Sequence, residues 1–183
     1  MFCLHYPSFI LKQLVLTILH ETTHYIAINK PAGLIVEQNP WEHSAEDWVR
    51  KHLAKKKIKP FVGIVHRLDR VTSGVLLFAK KKSALKHLNK QFEMRTVRKT
   101  YLAVVQNKPA EPSGLLEHWL LKHSKEKRAI IYTKKTAKAQ KVRLKYRLLE
   151  QKNDRYVLEI KPLTGKFHQI RAQLAAIGCP IVG

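Results

Sequence analysis

Cysteine is scarce: Cys3 and Cys179 are the only two in 183 residues. Two thiols so placed make no disulfide framework and fit a reducing compartment. Neither belongs to a Cys-x-x-Cys pair, which speaks against structural zinc. The spacing of His20 and His24 suits a helical metal site, but that stretch reads as strand and turn and offers no acidic third ligand. Long apolar runs are also missing. No segment approaches the roughly 20 apolar residues that a membrane helix needs. The stretch from Met1 to His20 is rather apolar. His5, Pro7, Lys12 and Gln13 interrupt it and no small-residue cleavage site follows, so it reads poorly as a signal peptide. There is no internal repeat and no long low-complexity segment.

Negative charge is the third shortage. Asp and Glu number 13 against 35 Lys and Arg, a formal net charge of +22. An excess this large asks for a polyanion, and nucleic acid is the first candidate. Basicity for solubility alone is the plain alternative. Anionic membrane is another, though no basic amphipathic anchor helix stands out.

Apolar residues make up 45% of the chain, enough for a folded core. The reading is one domain over residues 14–183, preceded by an extension over 1–13. Many short strands alternate with a few helices, which predicts an α+β (mixed α/β) fold built on a large sheet. Strands are expected at 14–19, 25–29, 61–65, 74–79, 100–105, 115–121, 129–133 and 141–149. A helix should start at Ser44, whose hydroxyl can accept the amide of Asp47, and bury Val49 and Leu53. Lys55, Lys56, Lys57 and Lys59 follow as a basic loop. A second helix spans 83–92 with Leu85, Leu88 and Phe92 inward. A third spans 167–177 and ends on Gly178 as a left-handed cap. In the clearest strand Val142, Leu144, Tyr146 and Leu148 alternate with Lys141, Arg143, Lys145 and Arg147, so one face is apolar and the other cationic. With no acid on that strand face, the cations suit an RNA backbone track as well as a solvated surface.

Two clusters could carry chemistry. In His66–Arg67–Leu68–Asp69–Arg70 one carboxylate sits between two arginines, in a polar turn held between apolar strands. Neighbouring cations would keep Asp69 ionised, which suits a nucleophile. A turn cap or a loop ion pair explains the same residues. In Thr164–Gly165–Lys166–Phe167–His168–Gln169–Ile170–Arg171, His168 and Arg171 are three apart and would share a helix face. A solvated basic face explains them equally. Tyr101, beside Arg98 and Lys99, is either core or a platform for stacking a base.

Val65 to Lys80, with His66–Arg67–Leu68–Asp69 and Thr72–Ser73–Gly74 inside it, resembles the central signature of the large-ribosomal-subunit pseudouridine synthase A family. Asn29–Lys30–Pro31–Ala32–Gly33–Leu34 resembles that family's N-terminal motif. Arg98–Lys99–Thr100–Tyr101–Leu102–Ala103–Val104–Val105 resembles its tyrosine strand, and Thr164 to Arg171 with Ile177 to Gly183 its C-terminal motif. The stand-alone form, near the synthase C that acts on transfer RNA, fits best.

The resemblance implies a large, mostly antiparallel mixed sheet flanked by helices, with an active-site cleft across it. It implies isomerisation of uridine to pseudouridine in transfer RNA or large-subunit ribosomal RNA. Asp69 matches the essential aspartate that attacks the flipped uridine, at the sugar or at the base. Arg171 matches the arginine that pairs with it, Tyr101 the tyrosine against the target base, and Arg67 the residue that fills the gap left by the base. Leu68, Thr72, Ser73, Gly74 and Ile170 would support the site. RNA contacts are expected from His66, Arg70, Lys30, Lys99 and His168, and from Lys141, Arg143, Lys145 and Arg147.

No cofactor or metal is called for, because the reaction has no redox or phosphoryl-transfer step. The partner is RNA, and a cytoplasmic monomer is expected. Family members usually continue past the Ile-Val-Gly segment, so a last segment is expected to be absent from 14–183. The rival reading is a module that binds RNA without catalysis; it would need the cations but not Asp69, Tyr101 and Arg171 together.

Overall fold

A computed structural model describes residues 16–55 and 59–182. The expectations for residues 1–13, for the start of the first strand and for Lys56 and Lys57 lie outside that range. The chain divides into two compact units, Met1–Lys90 and Gln91–Gly183.

In the first unit, β1 (Thr17–Glu21), β2 (Tyr25–Lys30), β3 (Gly63–Ile64) and β4 (Gly74–Ala79) form an antiparallel sheet in the order β1-β2-β4-β3. Ile26 and Ile28 of β2 and Leu76 and Phe78 of β4 are buried at the same cross-strand level. Helix α1 (Ala45–Ala54) covers them with Val49 and Leu53. Its start follows from Ser44. The Ser44 hydroxyl accepts the Asp47 amide at 3.0 Å, and the Asp47 carboxylate accepts the Ser44 amide at 3.2 Å. This reciprocal box satisfies two orphan donors and places Asp47 at the positive helix end.

Strand β3 has two residues where the apolar run predicts five. The chain leaves the ladder after Ile64, and the His66 ring replaces the missing strand: its Nε2 accepts the Leu77 amide at 3.2 Å. Helix α2 (Lys82–Glu93) runs across the division between the units, and its Leu85, Leu88 and Phe92 are half-buried.

The second unit holds β5 (Tyr101–Val105), β6 (Ser113–His123), β7 (Arg128–Tyr132), β8 (Gln140–Lys152), β9 (Arg155–Pro162) and α3 (Gln169–Ala176). The strands form a second antiparallel sheet, β5-β9-β8-β6-β7. Val142, Leu144, Tyr146, Leu158 and Ile160 are buried, and all but Val142 gather with Leu174 of α3 in one core. Asn153 and Asp154 both take positive φ, 46° and 55°, in the two-residue turn between β8 and β9. That backbone matches the twist of the paired strands. Gly178 takes φ 74°. Its amide reaches Ala175 O and that of Cys179 reaches Leu174 O, both at 3.0 Å, which closes α3 in a Schellman motif.

The α+β class and the mostly antiparallel pairing hold; the named strands form two sheets, with every strand pair antiparallel. Among the described residues no helix is long and apolar enough to cross a membrane.

Candidate active site

Asp69 opens the tight turn between β3 and β4, and its carbonyl accepts the Thr72 amide at 2.9 Å. Arg70 and Val71 form the exposed tip, while Leu68, Asp69 and Thr72 are half-buried. Gly74 closes the loop at φ 128°, a conformation in which a side chain would be strained.

The loop is anchored by the motif around Lys30. Lys30 is 0% exposed. Its ammonium donates to three carbonyls, Pro31 O at 2.9 Å, Leu34 O at 2.7 Å and Arg70 O at 3.1 Å. The Arg70 carbonyl also accepts the Gly33 amide at 2.8 Å, and Arg70 Nε returns a bond to Gly33 O at 3.1 Å. The two motifs, forty residues apart, are therefore one structural unit. Burial pulls the Lys30 ammonium below the usual lysine range, and the nearby Asp69 carboxylate acts in the opposite direction.

Two expectations change here. Lys30 faces inward with all three protons donated, so it is not a phosphate contact. The guanidinium groups that flank Asp69 in sequence turn to other carboxylates. Arg67 Nη1 bonds Glu37 at 3.1 and 3.2 Å. Arg70 grips Glu42 through both terminal nitrogens, at 2.7 and 3.2 Å. Lys30 is a cation that feels the Asp69 carboxylate. His66, expected on RNA, spends Nε2 on the Leu77 amide, so its ring proton belongs on Nδ1.

In the second unit Tyr101 lies on the buried face of β5, in register with Ile160, and packs with Ile170 against the Leu144–Leu174 core. Arg171 is half-buried on α3. His168 does not share a helix face with it. It precedes the helix in a left-handed conformation, φ 50°, with its ring stacked 3.7 Å from that of Phe167. Lys99 Nζ lies 6.0 Å from the centre of the Phe92 ring, and burial, then Arg95, lowers its pKa.

A polar network that composition does not reveal mounts α3 on the sheet. Thr164, Gln169 and Gln173 are all buried. Gln169 Oε1 accepts the Thr164 hydroxyl at 2.9 Å and the Lys166 amide at 3.1 Å. Gln169 Nε2 donates to Arg143 O at 3.1 Å and to Gln173 Oε1 at 2.9 Å. Gln173 Nε2 donates to Leu116 O at 3.2 Å and contacts His118 Nδ1 at 3.1 Å. Every amide atom of both glutamines is used, which is the condition for burying them without cost.

The cations of β8 occupy the sheet face opposite Tyr101, because Tyr146, in register with Ile160 and so with Tyr101, points the other way. That face does have acids, supplied by neighbouring strands. Glu117 of β6 meets Lys141 at 3.5 Å and Arg143 at 2.6 Å. Glu159 of β9 meets Arg147 at 3.5 Å and Lys161 at 3.0 Å. Among the described residues no group of three or more His, Cys, Asp or Glu is arranged to hold a metal ion.

A family model described as RNA pseudouridylate synthase matches residues 24–176, and the chain belongs to that family. The chain is 36% identical to ribosomal large subunit pseudouridine synthase D of Nitrosomonas europaea, over 94% of this chain and 49% of that protein. It is 34% identical to tRNA pseudouridine synthase C of Pectobacterium carotovorum, over 92% of this chain and 47% of that protein. Human RNA pseudouridylate synthase domain containing 4 superposes with a TM-score of 0.77 at 27% identity, over 91% of this chain and 67% of that one. The chain thus spans about half the length of the two curated relatives just named.

Proposed function

We propose that the chain is the catalytic part of an RNA pseudouridine synthase, with Asp69 as the attacking carboxylate. The observation that carries this reading is the mounting of Asp69. It opens a turn that is exposed at its tip, and the turn's backbone is tied from behind by the buried ammonium of Lys30 and the amide of Gly33. A carboxylate that only capped a turn would need no such anchor; one that must hold position against a substrate does. Family membership supplies the reaction class.

In the reaction the bond from the sugar to N1 of uracil breaks, the base turns, and the sugar bonds to C5. The C5 hydrogen leaves as a proton and N1 gains one, so no electron donor or acceptor is involved. Asp69 attacks either the sugar or the base. The family resemblance is what assigns Tyr101 and Ile170 to the uracil ring and Arg171 to the carboxylate. Arg67, at the exposed edge of the loop, fills the stack once the base has left; extrusion costs a few kcal/mol. Lys99 and His168 contact phosphates, as does Arg70 where RNA takes the place of Glu42. Lys141, Arg143, Lys145 and Arg147 contact RNA on the sheet face opposite Tyr101. The substrate class is structured RNA; relatives are named for both ribosomal RNA and transfer RNA.

The test is tritium release from total tRNA and from ribosomal RNA carrying 5-tritiated uridine. Release by the wild type and none by Asp69→Asn, with RNA affinity kept within about tenfold, or about 1.4 kcal/mol, is the expected result. An Asp69→Asn protein that still releases tritium sinks the assignment of the carboxylate. Tight binding without release by the wild type favours the binding-only alternative.

A further inference from the structure

Trp41 is 91% exposed, far the most exposed large hydrophobic side chain among the described residues. Single exposed apolar residues are ordinary on protein surfaces. This one differs in how its loop is held. Gln38 is bonded to the start of α1 through Glu46 at 3.0 Å and Asp47 at 2.6 Å. The Trp41 amide donates to Asn39 Oδ1 at 2.8 Å. Glu37 and Glu42, on either side of Trp41 in sequence, are bonded to Arg67 and Arg70, on either side of Asp69. The segment that carries Trp41 is thus tied on both sides, through Glu37 and Glu42, to the loop that carries Asp69, and the Trp41 ring stands in solvent. Arg70, at the tip of that loop, is bonded to Glu42, the residue after Trp41.

We propose that Trp41 is a stacking contact for a base of the RNA, flanking the nucleotide presented to Asp69. A large solvent-exposed π-face, on a segment paired to Arg67 and Arg70 in a chain of net charge +22, fits a nucleobase. A partner protein would ask for a wide apolar patch around the ring; between positions 37 and 43 only Pro40 joins Trp41 as an apolar residue, beside Glu37, Gln38, Asn39, Glu42 and His43. The inference rests on the RNA reading above. It adds a contact that none of the four motifs contains.

The experiment is a binding titration of total tRNA and of ribosomal RNA, at several salt concentrations, with wild type, Trp41→Ala and Trp41→Phe. Trp41→Ala should weaken binding about fivefold or more, with the dependence on salt unchanged, because a stacked ring releases no counterions. Trp41→Phe should recover most of the loss, and the emission difference between wild type and Trp41→Phe should be quenched on adding RNA. Binding by Trp41→Ala within twofold of wild type overturns the proposal. So does a loss that comes with a shallower salt slope, since the arginines would then be the contact. If the wild type itself binds neither RNA, the RNA reading falls first and this inference with it.

Discussion

Gln173 Nε2 donates to His118 Nδ1 across 3.1 Å, and the direction of that bond is set by groups at the far ends of the network. Leu116 O can only accept, so the Gln173 atom facing it is the nitrogen. Lys166 N–H can only donate, so the Gln169 atom facing it is the oxygen. His118 is therefore neutral, with its proton on Nε2. Burial pushes its pKa below the ordinary imidazole value. A folded pKa below the unfolded one means that the stabilisation is whole above about pH 6.5 and is lost as pH falls from there through the lower folded-state value. Thermal unfolding from pH 7.5 to 5 should show this loss, and His118→Asn, which cannot take up a proton, should flatten it. An identical acid dependence in the variant would refute the assignment. Gln173→Leu strands His118 Nδ1 and one proton of Gln169, and should cost about 1–3 kcal/mol in urea unfolding.

Lys30→Met should destabilise the chain by about 1–3 kcal/mol, because the carbonyls of Pro31 and Leu34 lose the ammonium and that of Arg70 keeps only the Gly33 amide. Lys30→Arg should not restore it, since a planar fork cannot converge on three carbonyls around one point. RNA affinity and its salt slope should stay unchanged under conditions where the variant is folded. A salt slope lower by about 1 would instead identify Lys30 as a phosphate contact.

Glu117→Gln releases Lys141 and Arg143 from their shared carboxylate. If the β8 face holds RNA, the variant should bind more tightly and with a salt slope steeper by up to about 2, while the rate of isomerisation at saturating RNA stays the same. Unchanged affinity would remove that face from the RNA contacts.

Asp154→Gly should stabilise the chain by about 0.5–1 kcal/mol. Asp154 holds φ 55° at the second position of the β8–β9 turn, where glycine has no steric penalty. Asn153→Val should do the opposite, because a β-branched residue resists φ 46°. Denaturant midpoints measure both.

Much of this was readable beforehand wherever the signal is local. The Ser44 box, the Gly178 cap and the alternation of β8 depend on residues within a few positions of one another, and all three stand where the pattern puts them. The role of Lys30 was readable too, but the motif hid it. In β2 the inward phase runs Ile26, Ile28, Lys30, but the sequence pattern ends the strand at residue 29 and the resemblance puts Lys30 among the RNA contacts. The acids on the β8 face were not readable, because Glu117 reaches Arg143 only through the register of two strands. Charges adjacent in sequence misled in the same way: Arg67 and Arg70 flank Asp69 along the chain, yet find Glu37 and Glu42 in space. His168 failed the helical phase because a single left-handed residue resets the chain direction before α3 begins.

The burial of Lys30 also makes the loop a clock. Acylating reagents reach an amine only when it meets solvent, and Lys30 has none of its surface exposed. Surface lysines will label within the mixing time, while Lys30 waits for the turn that carries Asp69 to open. Its labelling rate, followed by mass spectrometry, measures how often the loop tied to Lys30 opens.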